Sequence, residues 1–435
     1  MYTVGLYTLG CKVSLYETEA VAESFRALGF EVCPFDRVCD VYVINTCTVT
    51  RESDAKSRKY IRRAVRKNPS AVVCVIGCYS QNSPEEVKSI AGVSVVLGTR
   101  DKMRVSEYAL DILTGKRRGQ VVDVGDLSGV GFEPMKIKSA ERTRAYVKIE
   151  DGCECKCTYC AISAARGPVR SKPKEDIISE VEALSATGVK EIVLTGIETG
   201  SWGVDLKECG LADLIVCLDS RNSCGRIRLG SMAPELVTEE FLKKISLTKI
   251  MTPHIHLSVQ SASSSVLRAM KRRYNSEMLC RCVDNIKKYM PEADITADLM
   301  VGFPGETEED FKETFDFVSR AGLLDAHVFA YSKRDGTPAA EYPNQVPDDV
   351  KSERSELLIK EVGRVREAAL DKIINRKKPV EVVFETAKGT GYIGHSASYA
   401  EVFAESEIDV RGESLLVEPQ HREGGIIYGK IIKQK

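Results

Sequence analysis

A chain of 435 residues, 43% hydrophobic and 29% charged, is neither disordered nor small enough for one ordinary core; its length implies two to four domains. Its net charge of −1, from 62 basic and 63 acidic residues, gives no overall attraction to a polyanion but can conceal a basic face. Fifteen cysteines are an odd number, so complete intrachain pairing is excluded, and with only five histidines a metal site would be thiolate-rich, favouring zinc or iron–sulfur over a hard cation.

The opening MYTVGLYTLG lacks the basic segment of a signal peptide, and no apolar run is long enough for a bilayer span, so the cytoplasm is the expected compartment. Residues 1–110 alternate strand and helix patterns: strands at 3–8, 41–46, 71–77 and 93–98, helices at 14–28 and 53–67. The expectation is an α/β domain with a mostly parallel sheet. No GxGxxG follows its first strand, which argues against dinucleotide binding. Residues 111–139, rich in Gly, Lys and Asp, read as a connector. Residues 140–370 repeat strand and helix, with strands at 144–150, 191–196, 226–230, 254–260, 293–302 and 325–332, which predicts a partial or full β/α barrel. A charged helix over 350–374 is expected to leave that barrel. Residues 371–435 shift to short strands between Gly and charged turns, predicting a small β module.

Cys153, Cys157 and Cys160 lie within CECKCTYC with spacing C-x3-C-x2-C, directly after a predicted strand. Three thiolates on one short loop can hold three irons of a [4Fe–4S] cube and leave the fourth iron open. Structural zinc is the competing reading, since Cys155 adds a CxCxC pattern, although a fourth ligand at normal zinc spacing is missing. Cys11, Cys47 and Cys78 each follow a predicted strand of the first domain. Parallel strands end on one edge, so these thiols can converge; three unrelated buried cysteines are the alternative. Cys33, Cys39, Cys74, Cys209, Cys217, Cys224, Cys280 and Cys282 read as buried or incidental. His254 and His256 alternate on a strand and share a face, as core residues or as substrate contacts.

CECKCTYC, with Tyr159 before its third cysteine, resembles the radical S-adenosylmethionine superfamily. That resemblance implies a cluster whose open iron is chelated by the amino and carboxylate groups of S-adenosylmethionine and whose electron cleaves it to a 5′-deoxyadenosyl radical. It also implies Gly196, in LTGIETG, near the cofactor's amino group, and Gly302, in DLMVGFPGE, near its adenine. Together with TLGCKV, NTCTVT and IGCYSQ, the loop resembles the methylthiotransferases, which carry two [4Fe–4S] clusters, here on Cys11, Cys47 and Cys78 and on Cys153, Cys157 and Cys160. Cys155 is not a ligand position in that family, and no side chain is implied as catalytic, because cluster and cofactor carry the chemistry. The string SDAKSRKYIRRA adds likeness to the bacterial branch acting on N6-threonylcarbamoyladenosine at position 37 of transfer RNA. Lys12, Val13 and Ser14 replace the Gln-Met-Asn of the isopentenyladenosine branch and the Pro-Lys-Asn of the ribosomal-protein branch. HIHLSVQSASS matches the segment that ends Gln-Ser-Gly in the family, with Ala262 for glycine.

The resemblance implies transfer RNA as partner, met at the anticodon stem-loop around adenosine 37, and a reducing donor such as flavodoxin or ferredoxin. The β tail resembles the RNA-binding TRAM module. Three basic groups are expected to contact phosphates: Lys56, Arg58, Lys59, Arg62, Arg63, Arg66 and Lys67; then Arg166, Arg170, Lys172 and Lys174; then Arg268, Lys271, Arg272 and Arg273. Two other readings stand beside this one: methylthiolation of isopentenyladenosine or of a ribosomal protein, and an RNA-binding protein with structural zinc.

Overall fold

The computed structural model describes residues 1–140, 142–207 and 209–432. β1 (Thr3–Thr8), β2 (Glu31–Cys33), β3 (Val41–Thr46), β4 (Val72–Gly77), β5 (Val93–Leu97) and β6 (Val121–Asp123) form a sheet in the order β2-β1-β3-β4-β5-β6. Every neighbouring pair is parallel. β3 (VYVINT) and β4 (VVCVIG) are buried at every position, as parallel strands covered on both faces must be. α1 (Lys12–Ala27) packs Val21 and Phe25 onto one face of this sheet. α2 (Arg51–Lys67) packs Ile61 and Ala64 onto the other. The Thr50 hydroxyl starts α2 by accepting from the Ser53 amide at 3.1 Å. Acidic residues in its first turn and basic ones in its last complement the helix dipole.

The connector is less idle than its sequence implies. β6 adds an edge strand, and Met135 and Ile137 are buried in the central core. A three-residue strand is too short to show a period, so the composition alone read as linker.

β7 (Arg144–Lys148) leads into the antiparallel pair β8 (Glu150–Asp151) and β9 (Arg170–Ser171). β10 (Glu191–Thr195) and β11 (Arg226–Leu229) pair in parallel beside β7. β12 (His254–Gln260), β13 (Asp294–Val301) and β14 (Asp325–Ala330) form a second parallel set. Parallel bridges Ile227–Met251 and Met232–Leu257 join the two sets into a six-stranded arc. Alternation along the strands sorts the two faces. Ile192, Leu194, Ile227, Leu229, Ile255 and Leu257 pack with the outer helices in one apolar core. Their neighbours, among them Glu191, Arg228, His254 and His256, face the lumen.

β15 (Val380–Lys388), β16 (Gly391–Ser396), β17 (Glu401–Glu405), β18 (Ser414–Glu423) and β19 (Ile426–Ile431) close into a barrel in the order β15-β16-β17-β19-β18. The Asp348–Asn375 helix corrects an expectation: it does not leave the arc. Leu358, Val362 and Val365 belong to the arc's core, and Ala369, Leu370 and Ile373 to that of the small barrel. At 28 residues it is about 42 Å long, enough to serve both. Among the described residues, no helix is long and apolar enough to cross a membrane.

Candidate active site

The sheet register brings the first three cysteines together. Thr8 lies opposite Asn45 and Thr46 opposite Gly77. The loops carrying Cys11, Cys47 and Cys78 therefore leave the sheet side by side. Cys47 and Cys78 are buried and Cys11 is exposed. Gly10, at φ +116°, makes the close approach: an added Cβ would sit 3.1 Å from the Cys47 Cβ and 3.4 Å from its sulfur. Burial pushes the Cys78 thiol up to about 12, and Cys11 and Cys47 are near enough to push the same way. The Arg166 guanidinium opposes them, its Nε donating to the Cys78 sulfur at 3.1 Å.

The second set sits on the loop between β8 and β9. Its entry requires glycine: at Gly152, φ +92°, a Cβ would lie 1.9 Å from the Pro168 carbonyl oxygen. The Cys153 amide donates to Gly167 at 3.0 Å, and Thr158 is pinned by donating its amide to Met270 at 3.1 Å and its hydroxyl to Ala269 at 2.9 Å. Each sulfur has a donor: the Cys155 amide for Cys153 at 3.4 Å, Arg272 Nη1 for Cys157 at 3.5 Å, and the Ile162 amide for Cys160 at 3.4 Å. N–H groups aimed at sulfur are what thiolate ligands of an iron–sulfur cluster need, so the loop set fits such a group, and in the first set Cys78 has such a donor in Arg166. Cys155 lies closer to this set than the sequence indicates, since the ligand atoms of Cys153, Cys155 and Glu198 all fall within 4.8 Å of one another. Its hydrogen bond to Cys153 and its burial raise its thiol strongly, so it stays protonated and donates to Glu198 at 3.8 Å.

Between the sets lies a buried cluster of charges. Glu17 of α1 accepts from Lys148 at 2.7 Å and from Arg166 at 2.6 Å, and Lys102 lies 3.3 Å away. Asp151 takes Lys148 at 2.6 Å and Arg166 at 3.3 Å. Burial alone would raise Glu17; Arg166, Lys102 and Lys148 outweigh it and hold the carboxyl well below its usual range. Arg166, Arg170 and Lys172 are at most 5% exposed, which overturns their assignment as phosphate contacts. Arg166 ties the first domain to the arc through Glu17, and Lys172 does so by donating to the Tyr16 hydroxyl at 3.2 Å, while Arg170 pairs with Asp151 at 3.4 Å and Lys172 with Glu180 inside the arc's own region. Arg334 makes another tie, reaching Asp54 at 2.7 Å and Thr48 at 2.7 Å across a cleft of about 680 Å³ lined by Cys157 and Cys160.

The residues expected around a cofactor are near the loop. Tyr159 packs edge-on against Phe303 at 6.4 Å, and burial raises its phenol. At Gly196 an added Cβ would lie 2.4 Å from Glu150 Oε2, so glycine makes room for that carboxyl. The same oxygen accepts the Glu198 amide at 2.8 Å. Gly302, at φ +70°, donates its amide to Glu306 at 2.8 Å. Sequence reasoning missed Glu150, Glu198 and Glu17. Burial pushes Glu198 up to about 7. The available signal for Glu17 was a carboxylate on the otherwise apolar face of α1, beside Val13, Tyr16 and Ala20.

Of the other basic groups, Lys56, Lys59, Arg62 and Arg66 are exposed on α2. Arg58 is held by Glu86 at 2.9 Å and Arg63 by Asp36. Arg268, Lys271 and Arg273 are exposed, whereas Arg272 turns inward to Cys157 and to the Ser258 carbonyl at 3.0 Å. Both lumen histidines meet Thr296 Oγ1, His254 through Nε2 at 2.9 Å and His256 through Nδ1 at 2.7 Å.

A six-stranded parallel arc with a three-cysteine loop at its strand ends defines a radical S-adenosylmethionine protein. The model of that superfamily matches residues 147–318, and that of uncharacterized protein family UPF0004 matches residues 3–98. Among solved structures, the radical S-adenosylmethionine methyltransferase TsrM from Kitasatospora setae aligns with TM-score 0.58 at 17% identity, covering 78% of this chain and 77% of that one. At that identity the likeness is one of fold. Threonylcarbamoyladenosine tRNA methylthiotransferase MtaB of Bacillus subtilis is 40% identical over 96% of this chain and 93% of its own length. The Thermotoga maritima protein of the same name is 37% identical over 90% and 89%. A tRNA-2-methylthio-N(6)-dimethylallyladenosine synthase of Staphylococcus haemolyticus is 36% identical over 84% and 72%. The chain belongs to the MtaB family of radical S-adenosylmethionine methylthiotransferases, whose cofactors are S-adenosylmethionine and iron–sulfur clusters.

Proposed function

We propose that the protein converts N6-threonylcarbamoyladenosine at position 37 of transfer RNA to its 2-methylthio derivative. The observation that carries this reading is 40% identity to a protein of that name along 96% of the chain, joined to two cysteine sets fixed relative to each other by buried ion pairs. Residues 1–110 would hold an auxiliary [4Fe–4S] cluster on Cys11, Cys47 and Cys78, and residues 140–370 a second on Cys153, Cys157 and Cys160. Residues 111–139 would join the two, and residues 371–435 would act as a TRAM-like RNA-binding module. When bound, the clusters and S-adenosylmethionine supply the electron, the radical and the methyl group.

The chain's own residues hold and orient. Arg166 and Arg272 place positive charge on the sulfurs of Cys78 and Cys157. Tyr159, Gly196 and Gly302 would shape the cofactor pocket, and the lumen would exclude water from the base. Lys56, Lys59, Arg62 and Arg66 would meet RNA phosphates, which position the substrate without identifying its base. A low-potential donor such as flavodoxin or ferredoxin would deliver electrons. Mass spectrometry of nucleosides from cells with and without the gene tests the reading. Loss of 2-methylthio-N6-threonylcarbamoyladenosine is expected; loss of the 2-methylthio isopentenyl nucleoside instead would move the protein to another branch.

A further inference from the structure

The inner face of the arc holds a cavity of about 250 Å³. Its walls carry two cations, Lys12 from α1 and Arg228 from β11, beside three histidines, His254 and His256 from β12 and His327 from β14. The carboxylate on its wall, Asp325, is held by Arg366 at 3.0 Å. Nearby Asp298 lies 3.2 Å from His256 Nε2 and 3.8 Å from His327 Nδ1.

Two buried donors or acceptors in this wall are unspent. Arg228 is 1% exposed. Glu191 binds its Nε at 2.7 Å and its Nη2 at 3.0 Å, yet Nη1 has no partner among the described residues. His254 is 3% exposed, and its Nδ1 is equally without a partner there. Buried polar groups are normally satisfied, and those left open call for a ligand. Tyr399, from the turn between β16 and β17, closes the floor. It stacks on His254 at 4.7 Å with the Arg228 guanidinium 4.9 Å from its ring centroid. Its φ of +81° is costly for a residue with a side chain, so this contact is held by the surrounding fold.

His254 begins β12, far from the strand ends that carry the cysteine loop, while Lys12 directly follows Cys11. A base entering between the two cysteine sets would have its ring at the strand ends and its N6 arm directed down the lumen. The threonylcarbamoyl arm ends in a carboxylate and a hydroxyl, whereas an isopentenyl arm has neither. We propose that this cavity receives the carboxylate of the N6 arm, and that Lys12, Arg228 and His327 determine specificity for a charged substituent. An uncharged arm would leave the buried Arg228 donor unpaired, the situation in which polar sites discriminate most strongly.

This inference rests on the proposed function, and one experiment separates the two. Anticodon stem-loops carrying N6-threonylcarbamoyladenosine, its carboxyl methyl ester, or isopentenyladenosine are given to the reconstituted enzyme, and kcat/KM is measured for each. The free acid should exceed the ester by about 100-fold, the scale of losing one hydrogen bond to a charged group. In Lys12→Met, and independently in His327→Gln, the acid-to-ester ratio should fall about tenfold, as removing one contact from a coupled pair predicts. Equal turnover of acid and ester would overturn the carboxylate pocket and leave the nucleoside assignment standing. An unchanged ratio in both variants would overturn the roles of these two residues. Turnover of isopentenyl RNA alone would overturn the function and the pocket together.

Discussion

The two cysteine sets are built by opposite routes. Cys153, Cys157 and Cys160 share one loop, and backbone amides of that loop supply donors to two of the three sulfurs. Cys11, Cys47 and Cys78 come from three separate loops and meet only because β1, β3 and β4 run parallel in register. The sulfur of Cys78 further depends on Arg166, which belongs to the other side of the molecule. A local site survives distortion elsewhere, whereas a site assembled across a sheet inherits the stability of the sheet and of every tie upon it.

The strongest way to break this comparison is to remove one cysteine from each set. Cys157→Ala should abolish reductive cleavage of S-adenosylmethionine, and product with it. Cys47→Ala should retain part of that cleavage while losing the methylthiolated nucleoside. Quantifying 5′-deoxyadenosine beside product decides between them; normal product from Cys47→Ala would remove the first set from the reaction.

Next in size is the buried lock. Glu17→Ala leaves Lys102, Lys148 and Arg166 without their shared carboxylate and should cost about 3–5 kcal/mol, the usual penalty for stranding buried charge. Chemical denaturation measures it. Iron bound to the first set should fall further than iron bound to the loop.

The same contrast governs what could be read in advance. The loop was legible because its chemistry is a local spacing. Convergence of the first set was legible only through the rule that parallel strands end together. Glu17, Glu150 and Glu198 stayed hidden because their partners lie far away in sequence, as with Glu17 and Arg166, and Arg272, expected at a phosphate, instead turns inward to Cys157. Charge runs misled in the middle of the chain: Arg166 and Lys172 look like a phosphate-binding run, yet both are buried against carboxylates. The Asp348–Asn375 helix read as departing from the arc because its charged residues hide two short apolar segments that serve different cores.

A pH titration gives a smaller effect in the arc. Burial would raise Glu191, but Arg228, Arg226 and Arg144 hold it at about 2, below its ordinary 4.5. A depressed carboxyl contributes stability that is complete above its unfolded pKa. That contribution should fade as pH falls from about 4.5 toward 2. Glu191→Gln should flatten this part of the stability profile, followed by circular dichroism.

The smallest effect belongs to the surface. Arg62→Glu with Arg66→Glu should weaken transfer RNA binding and reduce the slope of log affinity against log salt by roughly 0.7–0.9 per lost phosphate contact. Cleavage of S-adenosylmethionine without RNA should persist, since both side chains lie on the exposed side of α2. An unchanged slope would make this face ordinary solvated surface.

The most direct test of two independently built sites is iron and sulfide content after anaerobic reconstitution. The wild-type chain should hold about eight of each, four per cluster. Replacing Cys153, Cys157 and Cys160 together by alanine should leave about four, with the circular dichroism of the folded chain retained. Loss of none, or of all iron from a chain that remains folded, would contradict the account.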